Sequence, residues 1–96
     1  MGHTPLHWVA QNGDLSAIQA LLAKGANLEA KTNGGGWTPL HWAAQEGHAT
    51  AIQALVDKGA NLEAKDKHGN TPLHRAAQEG QAAAIQALLA NGANLD

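Results

Sequence analysis

The sequence predicts an all-α solenoid, made of one helix-turn-helix unit written three times with short hairpin-like loops between the copies. Three observations predict it. The tetrad Thr-Pro-Leu-His recurs at Thr4–His7, Thr38–His41 and Thr71–His74, at offsets of 34 and 33 residues. Twenty-one of 28 positions are identical between Thr4–Lys31 and Thr38–Lys65, and 19 of 26 between Thr38–Glu63 and Thr71–Asp96. The apolar residues, 44% of the chain, are mostly Ala and Leu, both strong helix formers. A period between 20 and 50 residues is the mark of a repeat architecture.

Each unit carries its own punctuation. Thr4, Thr38 and Thr71 are read as N-caps, each followed by Pro at the first helical position, where a missing N–H costs nothing. A first helix of about two turns should end at Gly13, Gly47 and Gly80, which tolerate positive φ. A second helix is expected through Ala17–Ala23, Ala51–Asp57 and Ala84–Ala90, stopped by Gly25, Gly59 and Gly92. Asp14 sits where a cap for that helix belongs. The alternating segments 26–31 and 60–65 should be extended and lead into a turn before the next Thr-Pro. Neither helix is long enough to be stable alone in water. Ile18, Leu21 and Leu22 make one apolar stripe, copied by Ile52, Leu55 and Val56 and by Ile85, Leu88 and Leu89. Leu6, Leu40 and Leu73 supply the matching residue of the first helix. One unit has too small a core, so stacked units must bury each other's stripes. The expected organisation is one domain, 1–96, with units of about 1–31, 32–65 and 66–96 and no dedicated capping units.

Charge and composition narrow the function. A net charge of −2 with 15% charged residues offers no clustered basic face for nucleic acid and no polybasic anchor for a membrane. No cysteine is present, so disulfides and thiol chemistry are excluded. The absence of a leader-like apolar run, with the absence of cysteine, favours a cytoplasmic setting as an expectation. Ser16 and Thr50 have no base beside them in the pattern, and Gly34-Gly35-Gly36 lacks the Lys-Ser/Thr that a phosphate loop needs. No enzyme, cofactor or metal is expected.

The string Thr38-Pro-Leu-His-Trp-Ala-Ala-Gln-Glu-Gly-His48, followed by Ile52-Gln-Ala-Leu-Val-Asp-Lys-Gly-Ala-Asn-Leu-Glu-Ala-Lys-Asp66, resembles the ankyrin repeat over essentially the whole chain. That resemblance implies antiparallel helix pairs with loops projecting at right angles. It also implies protein recognition through the loop tips and the concave face of the first helices, and a structural role for the repeated histidines. The near-identity of the units suggests recent duplication or deliberate idealisation, and the sequence is also similar to designed ankyrin binders.

The candidate binding residues are the ends of the first helices, Gln11, Asn12, Gln45, Glu46, Gln78 and Glu79, with Lys67, His68 and Asn70 of the second loop and Trp37 of the first. Trp37 is the sharpest of them. Its counterparts in the other units are His3 and Asn70, so no repeated structural demand explains a tryptophan there. Its alternative role is to fold back on Thr38 or to cover the end of the stack. Trp8, Trp42 and Arg75 share one slot, and stacking is expected to bring Trp8 to Trp42 and Arg75 over Trp42. His7, His41 and His74 share another, but neighbouring units stand about 10 Å apart, too far for convergent metal ligands. His3, His48 and His68 are expected at the surface. The 31–38 loop has one residue more than its neighbour and lacks the counterpart of Asp66, so it should be longer and looser. Leu6, Val9 and Leu15 at one end and Leu73, Ile85 and Leu89 at the other should be partly exposed. The partner is then another protein, or a second copy stacked end to end on a scaffold with no dedicated partner.

Overall fold

A computed structural model describes residues 2–95. It has six helices and, among the described residues, no strand: α1 (Pro5–Asn12), α2 (Leu15–Ala23), α3 (Pro39–Gln45), α4 (Ala49–Asp57), α5 (Pro72–Gln78) and α6 (Ala82–Ala90). The first helices α1, α3 and α5 pack side by side in one layer, and α2, α4 and α6 in a second. The second helices begin two residues before their expected starts.

The punctuation behaves as its chemistry requires. Thr4, Thr38 and Thr71 are N-caps in extended backbone, each accepting from the amide of the histidine three residues on. Gly13, Gly47 and Gly80 follow the first helices at φ of 73°, 77° and 65°, a region closed to ordinary side chains. Asp14 caps α2, its Oδ1 taking the Ala17 N–H at 3.1 Å.

The core runs unbroken through both layers. Leu6, Leu40, Ile18, Ile52, Leu55 and Leu88 are fully buried, and so are Ala10, Ala43, Ala44, Ala51, Ala76 and Ala84. The alanines explain the close approach of neighbouring first helices, because a methyl group is all that separates the backbones. Burial of Leu6 corrects the expectation that it would be partly exposed; its helix packs on both α2 and α3. Leu15 and Leu89 are exposed, and Val9, Leu73 and Ile85 are half-buried.

Consecutive units are also stapled outside the core. The Glu29 carboxylate accepts the Asn61 N–H at 2.9 Å, and the Glu63 carboxylate accepts the Asn94 N–H at 2.8 Å. Between α4 and α6, Gln53 and Asn91 exchange two amide hydrogen bonds of 3.2 and 3.0 Å. The equivalent slot between α2 and α4 holds Gln19 and Lys58 in place of the two amides, and there a hollow of about 300 Å³ opens between Gln19, Leu22, Ala54, Asp57 and Lys58. Lys58→Asn places there the residue types that form the Gln53–Asn91 amide pair. It is expected to raise the unfolding free energy by about 0.5–1 kcal/mol in urea titrations. An unchanged or lower midpoint would show that the pair contributes nothing.

Candidate binding surface

Three histidines set the frame on which the surface stands. The Thr4 N–H donates to His7 Nδ1 at 2.8 Å, and the Thr38 N–H to His41 Nδ1 at 3.1 Å. With Nδ1 an acceptor, the ring proton lies on Nε2. That proton faces loop carbonyls, of its own and the next unit for His7 and of the next unit for His41. His7 Nε2 stands 2.8 Å from the Ala30 carbonyl and 2.9 Å from the Trp37 carbonyl, and His41 Nε2 stands 2.8 Å from the Asn70 carbonyl. Both rings are wholly buried. Burial, which penalises the charged form, holds the pKa of each below the ordinary histidine value; the carbonyls pull the other way without prevailing. His74 makes the same bond to the Thr71 N–H at 3.0 Å, but it is exposed and has no carbonyl on Nε2 among the described residues.

The loops hang from these rings. In the second loop, Asp66 is the hub. Its Oδ1 accepts the N–H of His68 at 2.9 Å and of Asn70 at 3.0 Å, and its Oδ2 accepts Arg75 Nε at 2.8 Å and faces Arg75 Nη2 at 2.6 Å. Desolvation raises the Asp66 pKa, but the Asn70 and His68 amides and the Arg75 guanidinium outweigh it and hold the carboxylate below its ordinary range. In the first loop the missing aspartate is replaced by Thr32. Its side-chain oxygen accepts the Trp37 N–H at 3.1 Å and its carbonyl the Gly36 N–H at 2.9 Å. The Gly35 carbonyl then accepts the Lys67 N–H at 2.8 Å, which ties the two loops together. The loop is longer, as expected, but its turn is closed by these bonds rather than left open.

On this frame the aromatic side chains interleave. Trp8 stacks on His3 (centroids 4.9 Å, planes 28° apart), and His3 lies 5.3 Å from Trp42. Trp42 lies 4.6 Å from Trp37, and the Arg75 guanidinium sits 4.5 Å over the Trp37 ring. The expected direct stack of Trp8, Trp42 and Arg75 is therefore corrected. The residue preceding each of the first two Thr-Pro caps, His3 or Trp37, inserts between one helix and the next. The result is a single row, Trp8–His3–Trp42–Trp37–Arg75, crossing all three units. Trp37 is half-buried within it, and His3 is a stacking residue rather than a surface one. Trp8 remains 53% exposed. His3, Thr32, Gly34, Gly35, Trp37 and Trp42 line a hollow of about 240 Å³ beside the row.

The remaining candidates divide by burial. Asn12, Glu46, Gln78 and Glu79 are exposed at the ends of the first helices, and Lys67 and His68 are exposed on the second loop. Gln78 Oε1 accepts Arg75 Nη1 at 3.1 Å, which extends the row towards the helix end. Gln11 and Gln45 are half-buried, and their carbonyls are taken by side chains of the following unit: His48 Nε2 lies 2.9 Å from the Gln11 carbonyl, and Gln81 Nε2 donates to the Gln45 carbonyl at 2.9 Å. Both reaching side chains lie against a glycine, Gly13 or Gly47, where an added Cβ would fall about 2.5 Å from them. His48 is thus a structural bridge, not a surface residue. Asn70 is tied to Asp66 and His41 through its backbone. Gln11 Oε1 and Trp42 Nε1 are shut off from solvent without a partner. Among the described residues no three metal-ligating side chains converge, and no helix is long and apolar enough to cross a membrane.

A family model described as ankyrin repeats, in three copies, matches residues 6–96. Among solved structures, the human ASB11 ankyrin repeat domain is 37% identical, with a TM-score of 0.88 over 96% of this chain and 41% of that one. This chain therefore spans less than half the length of that domain. No curated protein matches it.

Proposed function

The chain belongs to the ankyrin repeat family, and from that premise we propose that it is a non-catalytic module that holds another protein against its loop tips and the exposed face of its first helices. Ankyrin repeats are generally protein–protein interaction modules. One observation supports placing the contact on this face: a row of stacked rings crosses all three units and leaves Trp8 half exposed. Rigid aromatic groups held in place before contact lose little entropy on binding, and tryptophan and arginine dominate the energetics of interfaces. The exposed helix-end residues Asn12, Glu46, Gln78 and Glu79 form a polar rim, joined by Lys67 and His68. Trp37 contributes from inside the row, and the backbones of Gln11, Gln45 and Asn70 hold the rim in place.

Proteins selected from a displayed library against the immobilised 96-residue chain test the reading. Trp8→Ala and Trp37→Ala are each expected to weaken selected binders about tenfold or more, as for a hot-spot residue. Gln86→Ala, on the exposed side of α6, should leave binding unchanged. Binders that ignore both tryptophans and depend on α6 would overturn the reading. A second reading, an end-to-end self-associating scaffold, draws on the exposed Leu15, Leu89 and Leu95. It requires light scattering to show mass rising with concentration, and a strict monomer removes it.

A further inference from the structure

We infer that the hollow between the first loop and α3 receives one apolar side chain from an acidic segment of the partner protein; this rests on the binding-module reading above and names the chemistry of what binds. Size speaks first. Pockets for free cofactors and drug-sized molecules run to about 300–1,000 Å³ and enclose most of the ligand. A hollow of about 240 Å³, open to solvent, matches one side chain presented by a larger body.

The walls set what kind of side chain. Trp37 and Trp42 are inclined at 50° and Trp42 and His3 at 46°, so the rings splay apart instead of stacking flat. An apolar group seated in the hollow beside these inclined rings contacts ring carbon of more than one of them. The glycines make this possible. A Cβ on Gly35 would fall 2.8 Å from the Trp37 ring, so only glycine lets the indole lie against the loop. Gly34 has no atom within 4 Å of where its Cβ would stand, which leaves the mouth clear. Gly34 and Gly35 of this longer loop thus have a use that the tighter second loop does not share.

The rim sets the charge. Lys31 precedes the lining residue Thr32 in the chain, and its ammonium is exposed, donating to the Lys65 carbonyl at 3.0 Å. Lys67 is exposed and bonded through its N–H to the lining residue Gly35. Arg75 lies over the Trp37 ring, its charge matched by Asp66. The loop carboxylates Glu29 and Glu63 face the amides of Asn61 and Asn94, and Glu46 and Glu79 lie at the C-terminal ends of α3 and α5. Two exposed lysines without a carboxylate partner among the described residues are therefore joined, one by sequence and one by a backbone bond, to residues lining a hollow that has no carboxylate in its lining. That balance repels a cationic guest, although stacked tryptophans would otherwise suit one. It attracts an apolar residue flanked by Asp or Glu.

The three indole N–H resonances of the ¹⁵N-labelled chain report on Trp8, Trp37 and Trp42 separately. The probes are three synthetic peptides: acetyl-Gly-Asp-Glu-Leu-Glu-Asp-Gly-amide, the same with Ala for Leu, and the same with Lys for every acid. The first is expected to shift the Trp37 and Trp42 signals saturably. The Ala peptide should bind about tenfold more weakly or worse, as expected for loss of a buried leucine. The Lys peptide should leave both signals in place. Gly34→Glu adds a carboxylate at the open mouth without a clash, and should weaken the first peptide about fivefold with an unchanged helical spectrum. The inference is overturned if the Lys peptide binds as well as the acidic one, if Ala replaces Leu without loss, or if no peptide moves Trp37 or Trp42. Should those peptides fail while library-selected proteins remain sensitive to Trp8→Ala, the hollow is wrong and the module reading stands. Should no binder depend on the first-helix face, the module reading itself falls.

Discussion

His41→Ala is expected to destabilise the fold by about 3–4 kcal/mol, and His74→Ala, the same substitution in the same slot of the next unit, by about 1 kcal/mol. The difference comes from what each ring touches. His41 is wholly buried, accepts the Thr38 N–H and reaches the Asn70 carbonyl. Its loss leaves a ring-sized void in a packed site, a buried amide without an acceptor and the second loop without its tie to α3. His74 is exposed and, among the described residues, its ring serves only its own helix start, so its truncation removes a cap and little else. A chain of this length has a total stability of about 5–14 kcal/mol, so the first variant loses a large share. Urea unfolding followed by circular dichroism measures both. Equal losses for the two variants would show that the contact between units is not what His41 contributes.

The comparison shows why some of this protein could be read from its sequence and some could not. Caps, glycine stops and apolar stripes act within one unit, so local rules place them. The bond from each Thr to the histidine three residues on is equally local. The ring row depends on register between units. His3, Trp37 and Asn70 are one position in the repeat, yet His3 and Trp37 insert between helices while the backbone of Asn70 is held by Asp66. Nothing in the spacing separates these outcomes. The ion pair of Arg75 with Asp66 spans nine residues across a turn, and it draws the guanidinium over Trp37 rather than Trp42. Thr32 was concealed by its own plainness, because a threonine in the slot of an aspartate reads as a lost acceptor until its hydroxyl is seen to take the Trp37 N–H. His48 and Gln81 each follow a glycine with positive φ. That position was a usable signal for a side chain turned back onto the preceding unit.

The same histidines make stability depend on pH, and the sign follows from their pKa values. His7 and His41 are both held below the ordinary value of 6.5 by burial. Between that value and their folded values, the unfolded chain binds protons that the folded chain refuses. Stability is therefore complete above about pH 6.5 and falls as the pH drops through it. Each group adds a slope of at most about 1.4 kcal/mol per pH unit, so the pair sets a limit of about 2.7 kcal/mol per unit. Protonation acts at a definite place. A proton on Nδ1 would face the Thr4 or Thr38 N–H, putting donor against donor, and the start of α1 or α3 would lose its acceptor. Asp66 extends the decline. Its folded pKa lies below the ordinary 3.8, so its contribution is present above that value and is lost as the pH falls through the folded one. Thermal midpoints at pH 7.5, 6.5, 5.5 and 4.5 should therefore fall steadily once below 6.5. Replacing His41 with Gln should lower the midpoint at pH 7.5 while removing about half of the fall between 6.5 and 5.5. A wild-type midpoint that stays level from 7.5 to 5.5 would mean that the buried rings accept protons as freely as the unfolded chain, and the neutral tautomer assigned to the row's frame would have to be abandoned.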